Sequence, residues 1–247
     1  MTDQFLENSL AVFADRSLTG RALQPAGWDN VAGLVCGFGD RLAGPPAGTW
    51  TIARQAHGTD VIDVDGVEVG TGASLPLEAD ALVLRRPGLV GGVRTADCVP
   101  LLLMAPGRGW AAVVHAGWRG TIAGIATVAV DRARRDGICA TELRAALGPS
   151  IGACCYEVSS EIGERFARAS LPVLSGQGSD GRPHLDLRAI NAVLLERAGL
   201  PTEAIQYCGP CTRCARDRYH SFRAEPELSG RQISWIGWED RTPLRDR

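Results

Sequence analysis

Short, unbroken apolar runs bounded by glycine and proline dominate the middle of the chain, at residues 81–84, 89–93, 100–104 and 110–115. Runs of that length predict strands, and their lack of polar alternation predicts burial on both faces. Past His115 the period changes. Ile122, Ile125, Ala129 and Ala133 recur at helical spacing and predict a helix over 121–135. Arg132, Arg134 and Arg135 gather at its end, where cations suit the helix dipole. Residues 143–147 return to a strand pattern. A helix follows over 159–169, with Ile162 and Phe166 four apart. Another spans 187–198, with Asp186 as N-cap, Leu187, Ile190 and Leu194 on one face, and Gly199 just past its end. Residues 231–238 alternate like a strand. Strands and helices do not follow one another regularly, which points to an α+β or layered sandwich class.

Glycine- and proline-rich stretches at 43–48 and 175–183 predict loops, and nothing resembling a repeat or a linker divides the chain. Residues 1–247 therefore read as one domain. Composition narrows the function more than the fold. The formal charge is −2 and aromatics are 6%, so neither a basic field nor a stacking platform for nucleic acid is expected. No apolar run reaches the roughly 18 residues of a membrane span. The first sixteen residues carry Asp3 and Glu7 and no basic start, unlike a secretory signal. A cytoplasmic location is the expectation. There the eight cysteines stay reduced, which favours metal or catalytic roles over a disulfide framework.

Of the four histidines, two stand in unusual contexts. His57 precedes Gly58 in a turn-like stretch, and His115 ends an apolar run and enters the glycine-flanked Ala116-Gly117-Trp118-Arg119-Gly120. Cys98 lies between two apolar runs beside Asp97. Two histidines and a cysteine with an open fourth position are a zinc arrangement, a copper site is an alternative, and a histidine-activated thiol nucleophile is a third. A hydrogen-bonded core histidine and an inert buried thiol remain the bland readings. Cys208-x-x-Cys211-x-x-Cys214 has the spacing of a zinc or iron–sulfur loop, with His220 as the near fourth ligand; the bland reading is three reduced thiols. Cys154-Cys155 reads as packing. Arg41, Arg119 and Arg223 are the arginines placed to meet an anion if they converge, and the 117–120 turn before a helix offers backbone N–H groups to one.

QAHGTDV (55–61), TADCVPLLL (95–103), HAGWRG (115–120), LGPSIGACCYEV (147–158), LDLRAINAVLL (185–195) and CT…HSFRAE…SGRQ (211–232) together resemble the YfiH family, in order and from about residue 37 to 238. Members of that family go by the names laccase-like polyphenol oxidase, purine nucleoside phosphorylase and peptidoglycan editing factor. The resemblance implies a layered α-β-β-α sandwich related to Cys-His toxin deamidases. It implies a metal held by His57, Cys98 and His115, zinc first and copper as the alternative. It makes the Cys208 loop a weaker reading, since only Cys211-Thr212 falls on a family motif. The implied activities are phosphorolysis of adenosine, inosine and methylthioadenosine, and deamination of adenosine. The substrates would be a purine nucleoside and phosphate, with Asp97 as candidate acid/base and Arg119, Arg41 and Arg223 holding the phosphate. A copper phenol oxidase and a metal-free hydrolase or peptidoglycan editor using Cys98 and His115 are the rival readings. Two motifs depart from the family pattern. Gly37-Phe38-Gly39-Asp40-Arg41-Leu42-Ala43-Gly44 stands where the pattern resembles GFSTRxGG, and His220-Ser221-Phe222-Arg223-Ala224 where it resembles FSYRR.

Overall fold

The computed structural model describes residues 22–45, 50–67, 73–174 and 181–240. The N-terminal stretch read for a signal and most of the two loop stretches lie outside them. Among them, eleven strands form two mixed sheets. One runs β1 (Leu34–Phe38), β11 (Gln232–Trp238), β6 (Leu89–Thr95), β2 (Trp50–Arg54), β4 (Ala73–Glu78). The other runs β10 (Ile205–Tyr207), β9 (Arg144–Leu147), β7 (Val99–Ala105), β8 (Trp110–Ala116), β5 (Ala81–Leu84), β3 (Val61–Asp63). The fold is a single α+β domain.

The apolar runs are explained by where β5, β7 and β8 lie. Every residue of these three strands is buried, and the period of two divides them between two cores. Ala81, Val83, Leu101, Leu103, Ala112 and Val114 face the helices. Leu82, Leu84, Leu102, Met104, Ala111 and Val113 face the other sheet, where they meet Phe38, Leu89, Val93 and Ile236. Pro100 does not interrupt this pairing. It stands opposite His115 in the β7–β8 ladder, and its carbonyl accepts from Gly148 N–H at 2.8 Å.

The predicted 121–135 helix is two helices, α1 (Trp118–Ile122) and α2 (Ile125–Arg135). Gly124 separates them at φ +85°, a left-handed conformation that breaks the ladder while the apolar period carries on through it. α3 (Ser160–Arg168) begins at Ser159, whose Oγ accepts from Ile162 N–H. α4 (Leu187–Arg197) begins at Asp186, whose carboxylate accepts from the N–H groups of Arg188 and Ala189. The buried apolar side chains of α2, α3 and α4 all belong to the core on the six-stranded sheet.

Candidate metal centre

Strand register brings three candidate side chains to one end of the six-stranded sheet. β5 and β8 run antiparallel with Ala81 opposite Val114, which puts Asp80 beside His115. β7 and β8 run antiparallel with Val99 opposite Ala116, which puts Cys98 at the same end. His57 arrives from the loop between β2 and β3. Donor atoms of His57, Cys98 and His115 all lie within 4.8 Å of one another. Cys98 Sγ is 4.0 Å from His57 Nε2, and the two imidazoles meet edge to face at 4.7 Å.

Asp80, which the sequence reading missed, organises the group. Its carboxylate accepts from His115 Nδ1 at 2.7 Å. It also accepts the backbone N–H groups of Ala56, His57 and Gly58 at 3.2, 3.0 and 2.7 Å. One carboxylate therefore fixes the His115 ring and pins the loop that carries His57. Burial works to raise Asp80, but the bonds from His115 and from the Gly58 and Ala56 amides outweigh it and hold the carboxyl below its ordinary value. A lone carboxylate at the head of a fully apolar strand was the available signal, since a buried charge needs partners.

Electrostatics couple Cys98 to His115. Burial works to raise the thiol, yet its hydrogen bonds to His115 and His57 bring it down to about 6. Burial likewise opposes protonation of His115, and its bonds to Asp80 and Cys98 carry it up to about 9. Both shifts point the same way, toward a thiolate beside an imidazolium. The donor set also suits an ion. With Nδ1 engaged by Asp80, His115 presents Nε2, the arrangement that orients histidine ligands. Gly117 leaves the necessary room: a Cβ there would stand 2.8 Å from His57 Cδ2 and 3.2 Å from Cys98 Sγ.

The trio lines a cleft of about 890 Å³, whose walls include Trp118, Tyr156 and Phe222 and the arginines Arg94, Arg119, Arg223 and Arg231. Arg119 stacks on Trp118 at 4.5 Å and Arg223 on Tyr156 at 5.2 Å. Arg94, Arg231, Trp118, Tyr156 and Phe222 were not singled out from the sequence, because their contexts are ordinary until the loops fold together. Asp97 also lines the cleft, but its two oxygens accept from Thr212 Oγ1–H at 2.6 Å and Arg223 N–H at 2.7 Å. Asp97 thereby ties two distant stretches, at Thr212 and Arg223, to the segment that carries Cys98. Asp97 (φ 86°) and His57 (φ 61°) are both left-handed, a strained backbone held by these bonds. Arg41 is not among the lining residues: its guanidinium reaches Glu225 and the carbonyls of Arg216 and Tyr219.

The cysteine loop also differs from the sequence reading. Cys208 and His220 take no part in a ligand group, whereas Cys211 and Cys214 lie with Cys154 and Cys155. The vicinal pair is thus part of a cluster. Cys208 packs against the core between the sheets.

The chain is 37% identical over 190 residues to adenosine deaminase RL5 of an unknown prokaryotic organism, covering 74% of this chain and 72% of that one. It is 34% identical over 201 residues to purine nucleoside phosphorylase YlmD of Geobacillus stearothermophilus, covering 78% and 73%. The crystal structure of that organism's YlmD superposes with a TM-score of 0.77 at 26% identity, covering 90% of this chain and all of that one (100%). The YfiH protein of Bacillus licheniformis superposes with a TM-score of 0.75 at 28% identity, covering 86% and 94%. Residues 38–239 match the family model described as multi-copper polyphenol oxidoreductase laccase. Motifs, fold and matches agree, and the chain belongs to the YfiH family.

Proposed function

We propose that this protein is a metal-dependent enzyme of purine nucleosides, carrying out phosphorolysis, deamination of adenosine, or both. The observation that carries the reading is the convergence of His57, Cys98 and His115 in an arginine-lined cleft. Those three residues would hold the ion, zinc being the fit for a mixed imidazole–thiolate set. When bound, it supplies Lewis acidity near neutral pH. Asp80 positions two of the ligands. Trp118, Tyr156 and Phe222 offer apolar faces to a purine and its ribose. Arg119 has no ion-pair partner among the described residues and is the cation best placed to receive phosphate, with Arg223 also in the lining.

In phosphorolysis, a phosphate oxygen bonds C1′ as the bond to the purine nitrogen breaks, giving the free base and ribose 1-phosphate. In deamination, water adds at C6 and ammonia leaves. The same cleft serves either reaction if the reacting atom, C1′ or C6, is brought to the trio. A cytoplasmic setting accords with the reduced thiols, and no helix among the described residues is long and apolar enough to cross a membrane.

One observation favours a second reading. Cys98 lies within 4.8 Å of His115, and Asp80 accepts from His115 Nδ1 at 2.7 Å, a thiol–imidazole–carboxylate series of the kind that drives nucleophilic catalysis without a metal. A multicopper oxidase has less support, because His184 and His220 lie outside the trio and two imidazoles cannot ligate several coppers. Mass spectrometry of adenosine reactions, with and without phosphate and with a Cys98→Ser control, separates these readings. Adenine and ribose 1-phosphate formed only with phosphate, or inosine formed regardless of it, supports the nucleoside enzyme. Turnover that survives chelation but not Cys98→Ser assigns the chemistry to the thiol. No product in any tube overturns the nucleoside reading.

A further inference from the structure

Half of the cysteines converge on a second place, apart from the trio. Cys154 and Cys155 follow β9 in the loop that leads to α3. Cys211 and Cys214 lie in the loop after β10. The four sulfurs lie within 4.8 Å of one another. Cys214 Sγ is 3.7 Å from Cys154 Sγ and 3.5 Å from Cys155 Sγ. A disulfide would need about 2.05 Å, and all four thiols are free. A tetrahedral ion with metal–sulfur bonds of about 2.3 Å spaces its thiolates about 3.8 Å apart. A backbone donor joins the cluster: Cys211 Sγ accepts Gly152 N–H at 3.2 Å.

We propose that Cys154, Cys155, Cys211 and Cys214 form a second, all-thiolate site that binds one soft divalent ion, zinc, and braces the wall of the cleft. Four sulfurs without an oxygen donor select against magnesium and calcium. An iron–sulfur cluster interposes several irons and sulfides between its thiolates and needs a wider cage than this one. As each sulfur bonds the ion, its thiol proton passes to solvent, and no redox partner is required.

The placement gives the ion its role. Cys154 and Cys214 are 60 residues apart in the chain, and the stretches they belong to both reach the cleft. Thr212, next to Cys211, donates to Asp97. Tyr156, next to Cys155, lines the wall. Ser150 bridges to Cys211, and His184 Nδ1 bonds the Ala153 carbonyl at 2.6 Å. The ion ties these stretches together and touches no substrate.

The test is metal content measured by mass spectrometry on protein purified under reducing conditions. Two equivalents of zinc are expected in the wild type. One is expected in Cys98→Ser, where the trio is broken, and none in Cys98→Ser combined with Cys214→Ser. Cobalt(II) added to chelator-stripped Cys98→Ser protein should give the intense visible absorption of a tetrathiolate centre. That absorption should vanish in Cys154→Ser and Cys214→Ser and persist in Cys208→Ser. Zinc limited to one equivalent that only Cys98→Ser removes, with no cobalt spectrum, overturns the site. So does a Cys154–Cys214 or Cys155–Cys214 disulfide that forms in place of metal binding. Nucleoside turnover is not the readout, so the two proposals fail separately.

Discussion

At the scale of single residues, Asp80 holds more of the site than any candidate ligand does. Its carboxylate takes four donors, three of them from the loop that carries His57. Asp80→Asn keeps the shape but turns one acceptor into a donor facing N–H groups. We expect a loss of stability of about 1–3 kcal/mol and a fall in metal affinity of about 10–100-fold. Thermal melts and competition against a chelator read these separately, and unchanged affinity would remove Asp80 from any positioning role. Arg119 makes a different kind of contribution, as a charge stacked on Trp118 with no ion-pair partner among the described residues. Arg119→Ala should raise KM for phosphate at least several-fold and leave adenosine deamination in its absence nearly unchanged; an unaltered phosphate dependence argues against the assignment. Local context singled out the two histidines and Cys98, but spacing alone fits a buried imidazole equally well, and the family motifs were needed to choose between the readings. Asp80 was not visible even so. Its partners become neighbours through antiparallel register between β5 and β8, which no local pattern encodes.

At the scale of elements, β5, β7 and β8 were legible because burial on both faces leaves no polar residue to blur the pattern. β1, β2, β3, β4 and β10 were not. They are short, only partly buried or mixed with polar positions, and their pairing depends on the other strands. β5 and β8 also show how one pair of strands divides its labour. The end with Asp80 and His115 carries the candidate chemistry. The opposite end is clamped by Arg85, which pairs with Asp63, Asp65 and Asp136. There Asp136 also accepts from Trp110 Nε1 at 2.9 Å and pairs with Arg132 at 2.5 Å. Burial works to raise Asp136, but Trp110, Arg132 and Arg85 outweigh it and hold it below 3.8. A depressed carboxylate contributes stability that is fully present above its unfolded value and is lost as pH falls through the folded one. Unfolding titrations from pH 5 downward should therefore show a loss below about pH 4. Asp136→Asn should lower stability at neutral pH by on the order of 1 kcal/mol and flatten that acid limb. An acid limb of the same slope in the variant would place the sensitive carboxylate elsewhere.

At the scale of the molecule, an ion that binds only the folded chain stabilises all of it. At a free concentration of 100 times Kd the gain is about 2.7 kcal/mol, or roughly 5–10 °C in Tm for a domain of this size. Chelation should lower the melting temperature by that order, and added zinc should restore it. A melt indifferent to chelator and zinc would mean the folded state holds no ion under those conditions. The whole-molecule charge of −2 hid the cleft, whose lining arginines far outnumber its one carboxylate, Asp97. Composition averages over surfaces, and this cleft gathers its cations from stretches as distant as Arg94 and Arg231.

β11 lies between β1 and β6 in the five-stranded sheet. During synthesis, β1 emerges early and waits with an unpaired edge until residues 232–238 leave the ribosome. β6, β2 and β4 can assemble beforehand, but their exposed edge beside β6 is the very one β11 will fill. The nascent chain thus carries two open strand edges facing the same absent partner, which is the condition under which chains pair wrongly with one another. The last strand to be made joins the sheet at its interior, and on that joining depends the wall that brings Arg223 and Arg231 to the cleft.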